Sequence, residues 1–264
     1  MTYNEHGVTA TIERLLTEHE LTGPLSPEQL NLLDQFHAGG YAALDRTIAP
    51  LALDTADRVL DIGSGLGGPA RRIAQQTGAT VHGVDITEEY TDAATHLTAR
   101  CGLEDLVTFE HAGIAEHHPA EPYTAAITMH VTMNIADKPA WYRAIADRLV
   151  DGGHLVVWDI CATGRGELPL PLPWSIDGSD NFIVQPAELH DAITSAGFDT
   201  VEWVDEGSWV REWFDTTFAN GIPTGPGIAM VLDDGFTRTI NIGVAQAADT
   251  ITIMRGHFTK PLTR

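Results

Sequence analysis

Apolar residues recur along this chain in two rhythms, and the change between them predicts the elements. Residues 11–21 carry Ile12, Leu15 and Leu16 at helical spacing, closed by Gly23 and Pro24. Ser26 caps a second helix, with Pro27 at its first position and Gln29 at its third, expected to reach His37. Gly39 and Gly40 interrupt it, and residues 41–53 resume the helical pattern. From Arg58 onward, short apolar runs alternate with helical segments. Strands are expected at 58–62, 79–85, 106–112, 123–130 and 154–160, then at 200–206 and 250–258. Helices are expected from Pro69, over 87–102 with Thr87 as cap, and over 138–150 with Gly152 and Gly153 as terminator. Others are expected over 186–198, 208–220 and 233–249. Such alternation argues a parallel, doubly wound α/β sheet with right-handed crossovers.

Residues 163–185 break the rhythm with Pro169, Pro171, Pro173 and three glycines. Loops this long inside a compact domain are usually functional. One domain is expected over 1–264: a helical arm (1–50), a core (51–160), a cap insert (163–185) and C-terminal helices and strands (186–264). The arm, the insert and residues 207–248 are expected to cap the carboxyl edge of the sheet.

Chemistry enters between Arg58 and Ala74. A buried strand runs into a turn holding Gly63, Gly65, Gly67 and Gly68, and Pro69 then opens a helix. Glycines let a backbone adopt positive φ and approach a ligand closely. Gly63, Gly65 and Gly68 satisfy a dinucleotide fingerprint, with Asp85 following at about the expected ~20 residues. Asp61, on the strand just before the turn, argues against a pyrophosphate, which its carboxylate would repel. An ammonium group suits it better. S-adenosylmethionine carries an amine, a sulfonium and a ribose but no phosphate, so Asp61 on the amine and Asp85 on the ribose fit that ligand.

The net charge of −22 disfavours nucleic acid, which needs a basic stripe, and an acidic membrane surface. No segment has the ~20 apolar residues of a membrane helix. Residues 1–16 lack the basic and apolar regions of a secretory signal. Cys101 and Cys161 are too few for a disulfide framework, so a cytoplasmic setting is expected. Oligomeric state is left open.

The stretches VLDIGSGLGG, GVDIT and TMHVTMNIADK, with the glycine pair in DQFHAGGYAAL, resemble class I S-adenosylmethionine-dependent methyltransferases of the small-molecule type. Sarcosine/dimethylglycine and phosphoethanolamine methyltransferases look similar, the latter also at Asp159–Thr163. The resemblance implies a Rossmann-like seven-strand sheet, mostly parallel, whose last strand is antiparallel between its neighbours. It implies S-adenosylmethionine as methyl donor, S-adenosylhomocysteine as product and a small-molecule acceptor of bacterial specialised metabolism. Asp61, Gly63, Ser64 and Gly65 are implied at the methionyl end, Asp85 at the ribose and Ile86 at the adenine. Gly39, Gly40 and His37 are implied over the methionine carboxylate. Relatives carry an acid for the adenine amino group where this chain has Gly113, leaving the backbone near Ile114 to bond the ring.

In-line methyl transfer needs donor and acceptor aligned, and sometimes a base. His130 follows the fourth strand and is the first candidate for base or acceptor-orienting group, and it also faces the methionyl side. His37 and Asn134 are further candidates. The histidine of phosphoethanolamine enzymes falls on Asn134 and their substrate-binding acid on His130, so that acceptor is not expected. Tyr41, Trp174 and Phe182 are expected against the acceptor, with Tyr3 weighed beside Tyr41. His111, His117 and His118 look like a metal cluster only superficially. His117 and His118 read as a solvated loop with no convincing third ligand, and no metal site is expected. Two alternatives stay open: a donor-bound enzyme that uses the sulfonium as fixed charge for a cyclisation, and a regulatory protein with a vestigial site.

Overall fold

The computed structural model describes residues 7–219, 221 and 225–262, and Tyr3 lies outside them. At its centre is β1 (Arg58–Ile62), whose residues after Arg58 are all buried. It pairs in parallel with β2 (Thr80–Asp85) on one side and β4 (Tyr123–Met129) on the other. Adding β3 (Val107–His111), β5 (Leu149–Ala162), β6 (Asp199–Asp205) and β7 (Ile251–Thr259) gives seven strands in the order β3-β2-β1-β4-β5-β7-β6. The last strand runs antiparallel to both neighbours, as the resemblance implies.

Alternation within strands divides the core. Val59 points to a cluster shared with α3 (Gly40–Ile48), α4 (Gly68–Thr77), α8 (Gly207–Thr217) and α9 (Gly235–Ala247). Leu60 and Ile62 join the opposite cluster with α6 (Lys138–Ala146) and α7 (Pro186–Ser195). A third cluster joins α1 (Val8–Glu18) and α2 (Pro27–Asp34) to α5 (Glu88–Arg100). No helix among the described residues is long and apolar enough to cross a membrane.

Two expected boundaries are corrected. The helix expected over 138–150 ends at Ala146, because Leu149 is buried and pairs with Tyr123 in the sheet. Gly152 and Gly153 therefore sit inside an irregular strand, where the register jumps between Tyr123 and Ala125. The helix expected to reach His37 ends at Asp34, whose carboxylate accepts a 2.9 Å hydrogen bond from the buried Arg71 guanidinium of α4. Gly68 permits that approach: a Cβ there would lie 2.4 Å from the Asp34 carbonyl oxygen.

The insert at 163–185 contains no regular helix or strand and is fastened to its surroundings. The buried Arg238 of α9 donates to the Leu172 carbonyl at 3.2 Å, and Asn241 to that of Pro171 at 2.9 Å. Phe182 N donates to the Met133 carbonyl at 2.8 Å.

Candidate active site

The turn after β1 is built by backbone geometry. Gly63 N and Ser64 N donate to the Val84 carbonyl at 2.8 and 3.1 Å. Gly63 has φ +73°, and a Cβ there would meet Val131 Cγ2 at 2.4 Å. Any side chain at that position must push the Val131 side chain aside and take up a left-handed backbone. Asp85 closes the cradle from β2: its carboxylate accepts from Gly65 N and Thr87 N, each at 2.9 Å. Burial nevertheless pushes its pKa up, against those two bonds.

Asp61 is buried, and one of its oxygens, Oδ2, has no hydrogen-bond partner among the described residues. Burial and the nearby Asp85 push its carboxyl up to about 7, against a bond from the Ala70 amide at the start of α4. A partly protonated, half-partnered acid at a strand end suits a cationic ligand. Ser64 Oγ beside it also lacks a partner among the described residues.

A cavity of about 900 Å³ opens over this turn. Such crevices outside the carboxyl ends of strands are where α/β sheets bind ligands. Gly63, Gly65, Asp85, Ile86, Gly113 and Ile114 line its floor, and His37, Gly40, His130 and Asn134 its wall. Phe182 lines it from the insert, and Trp213, Phe214 and Phe218 close it from α8 and the turn beyond. Gly39, Asp61 and Ser64 lie outside the lining formed by the described residues.

His130 sits at φ +55°, a left-handed conformation uncommon for a residue with a Cβ. Three contacts hold it there. Its amide donates to the Trp158 carbonyl at 2.8 Å, and the next two amides, Val131 and Thr132, donate to Asp159 Oδ2 at 3.2 and 3.0 Å. Asp159 is fully buried in β5, which pushes its carboxyl up to about 6. His130 Nε2 has no partner among the described residues. Burial, with His37 adding to it, lowers the imidazole well below its ordinary value, so the ring is neutral at pH 7.

His37 stands perpendicular to His130, with ring centroids 6.2 Å apart. Its Nε2 lies 3.1 Å from the Gly40 carbonyl, which can only accept, so Nε2 carries the proton and Nδ1 the lone pair. Burial lowers its pKa to about 4. Asn134 reaches the wall but spends one amide hydrogen on the Val131 carbonyl at 3.3 Å.

Three sequence expectations are corrected. Trp174 is buried in the core and donates to Asn181 Oδ1 at 2.8 Å, so it braces the insert rather than meeting an acceptor. Tyr41 donates its hydroxyl to the Pro27 carbonyl at 2.6 Å under the Arg72 guanidinium, tying α3 to α2. His117 is buried, not solvated, and bonds Glu110 at 2.6 Å and the Tyr123 hydroxyl at 2.9 Å. His111 and His118 remain exposed. Trp213 and Phe214 of α8 line the cavity, although a Trp in an amphipathic helix is more often core and sequence reasoning favoured Trp174 over Trp213 on that ground. The available signal was an aromatic excess, Trp209, Trp213 and Phe214, greater than one buried helix face requires.

Residues 36–203 match the methyltransferase domain family. The chain belongs to this family. It is an S-adenosylmethionine-dependent methyltransferase, and the glycine cradle, the unpartnered Asp61 oxygen and Asp85 fit that donor. It is 27% identical to methyltransferase GfsG of Streptomyces halstedii, over 81% of this chain and 75% of that protein. It is 26% identical to phosphoethanolamine N-methyltransferase 1 of Arabidopsis thaliana, over 62% of this chain but only 33% of that longer protein. Among solved structures, the [4+2]-cyclase SpnF shares the fold at a TM-score of 0.66 and 21% identity, over 96% of this chain and 95% of that one.

Proposed function

We propose that this methyltransferase methylates a hydroxyl group on an apolar small molecule of bacterial specialised metabolism, and that His130 receives the hydroxyl proton. The observation that carries this reading is His130 Nε2: buried, neutral, without a partner among the described residues, and set in the wall of a cavity closed by aromatics. No lysine or arginine lines that cavity among the described residues, which argues against a phosphorylated acceptor. The likeness to a Streptomyces methyltransferase supports the bacterial setting.

S-adenosylmethionine, when bound, supplies an electrophilic methyl carbon on a sulfonium. Asp61 takes its ammonium, with Gly63, Ser64 and Gly65 around the methionyl chain and Gly39 and Gly40 near the carboxylate. Asp85 takes the ribose hydroxyls, while Ile86, Gly113 and Ile114 hold the adenine. His130 orients the acceptor by accepting its O–H hydrogen bond. As the oxygen–carbon bond forms and the carbon–sulfur bond breaks, releasing S-adenosylhomocysteine as a neutral thioether, the acceptor oxygen would become an oxonium and its proton would pass to the imidazole. An imidazole this reluctant to charge is a weak base towards a free alcohol. An oxonium is a far stronger acid than imidazolium, so the transfer is downhill once bond formation is under way. His37 shields the pair from water, and Phe182 packs on the acceptor.

The test uses methyl-labelled donor and a panel of hydroxylated apolar acceptors. Label should appear in an ether product, and His130→Gln should lower kcat by about 10²–10⁴-fold, the usual scale for a lost general base. Affinity for S-adenosylhomocysteine should hold. Conversion of an acceptor without label would point instead to a cyclase-type reaction, and an unchanged kcat would remove His130 from the chemistry.

A further inference from the structure

We propose that His82, Glu110 and His117 form a zinc site on the outer edge of the sheet, separate from the cofactor cavity. None of the three lines that cavity. His82 lies on β2 and Glu110 on β3. Their register neighbours, Thr108 for His82 and Val84 for Glu110, put both on one face. The loop after β3 folds back and lays the His117 ring on the His82 ring, with centroids 5.0 Å apart and planes 20° from parallel. One ligand atom from each side chain then falls within 4.8 Å of the others.

Two imidazoles and one carboxylate are a donor set that zinc takes, leaving a fourth position for water. Zinc–ligand bonds of about 2.0–2.1 Å in a tetrahedron put neighbouring ligand atoms roughly 3.4 Å apart. His82 Nε2 and Glu110 Oε2 are 3.4 Å apart. His117 Nδ1 and the same oxygen are 2.6 Å apart, a hydrogen-bond distance. Glu110 is 44% exposed and has room to draw back as an ion enters.

The far side of each ring is prepared for the exchange. His82 Nδ1 lies 2.8 Å from Thr108 Oγ1, and His117 Nε2 lies 2.9 Å from the Tyr123 hydroxyl. A hydroxyl can either donate or accept. Without metal, the Tyr123 hydroxyl donates to His117 Nε2 while His117 Nδ1–H donates to Glu110. With metal, that hydroxyl turns to accept from Nε2–H and the Nδ1 lone pair faces the ion. Such outer hydrogen bonds fix tautomer and ring orientation in metal sites. The strong negative charge of the chain adds a general pull on cations.

A zinc ion here would join β2, β3 and the loop that follows β3, outside the cavity. The experiment titrates zinc into tag-free, chelator-stripped protein against a chromophoric competitor. One zinc per chain is expected, together with a tetrahedral visible spectrum for cobalt(II) and a higher Tm in zinc. His82→Gln and Glu110→Gln change partly exposed side chains and should leave S-adenosylhomocysteine affinity unchanged. Each should weaken zinc binding at least roughly tenfold, the scale at which even outer-shell changes register. Absence of stoichiometric zinc, or zinc binding that either variant retains at full strength, would overturn the proposal.

Discussion

The floor and the roof of the cavity are made differently. The floor is backbone: Gly63 and Gly65 at positive φ, amides of Gly65 and Thr87 on Asp85, and the close passage of Val131 over the turn. The roof is side chains from separate places: Phe182 of the insert, Trp213 and Phe214 of α8, and Ile242 of α9. A backbone cradle tolerates almost no change and suits a ligand that never varies. A wall of large apolar side chains can be recut without moving the sheet. On the proposed assignment, the donor would be bound by what the chain cannot easily alter, and the acceptor by what it can.

The sharpest way to break this contrast is Gly63→Ala. The added Cβ would strike Val131 Cγ2. Overpacking of about 1–3 kcal/mol should cost about tenfold to a hundredfold in S-adenosylhomocysteine affinity, measured by calorimetry. Val131→Ala in the same chain should recover part of it. Unchanged affinity would mean that the floor is not set by backbone shape. Next comes the charge beneath the floor. Asp61 must be ionised to hold an ammonium, and its carboxyl is held up to about 7. Donor affinity should therefore fall as pH drops below about 7, by up to about tenfold per pH unit. In Asp61→Asn that dependence should vanish, and affinity at pH 8 should be lower than wild type. A slope that survives the substitution would assign it to another group. The smallest effect belongs to the roof. Trp213→Ala should raise KM for the acceptor by several-fold to about tenfold through lost contact area, with donor affinity and Tm little changed. A larger effect on the donor than on the acceptor would merge the two surfaces that the contrast separates.

The same contrast explains what could be read from the chain. The turn from Asp61 to Gly68 was legible because a positive-φ glycine, an opening Pro69 and an acid on each of two strands are local signals. The antiparallel β7 came from family resemblance, since no local pattern orders strands in a sheet. The end of α6 was misread because Leu149 keeps helical phase, while pairing with Tyr123, more than twenty residues earlier, claims it for the sheet. Trp174 was misplaced for a related reason: an aromatic in a proline-rich insert reads the same whether it plugs the core or faces a ligand. His117 looked solvated beside His118, because its partners Glu110 and Tyr123 stand on two different strands. Of the roof, Phe182 was legible from its place in the insert, whereas Trp213, Phe214 and Ile242 were not, because α8 and α9 meet the insert only once the sheet has formed.

One contact beneath the arm bears on the edge of the cavity. Arg71 and Asp34 form a fully buried ion pair, and Arg71 also donates to the Leu66 carbonyl at 2.6 Å. Removing one partner of such a pair costs about 3–5 kcal/mol, so the pair does not open casually. The arm residues that line the cavity, Gln35 to Ala38 and Gly40, begin at that bolt. That edge of the cavity is thus anchored to α4 through Arg71 rather than hung from α2 alone.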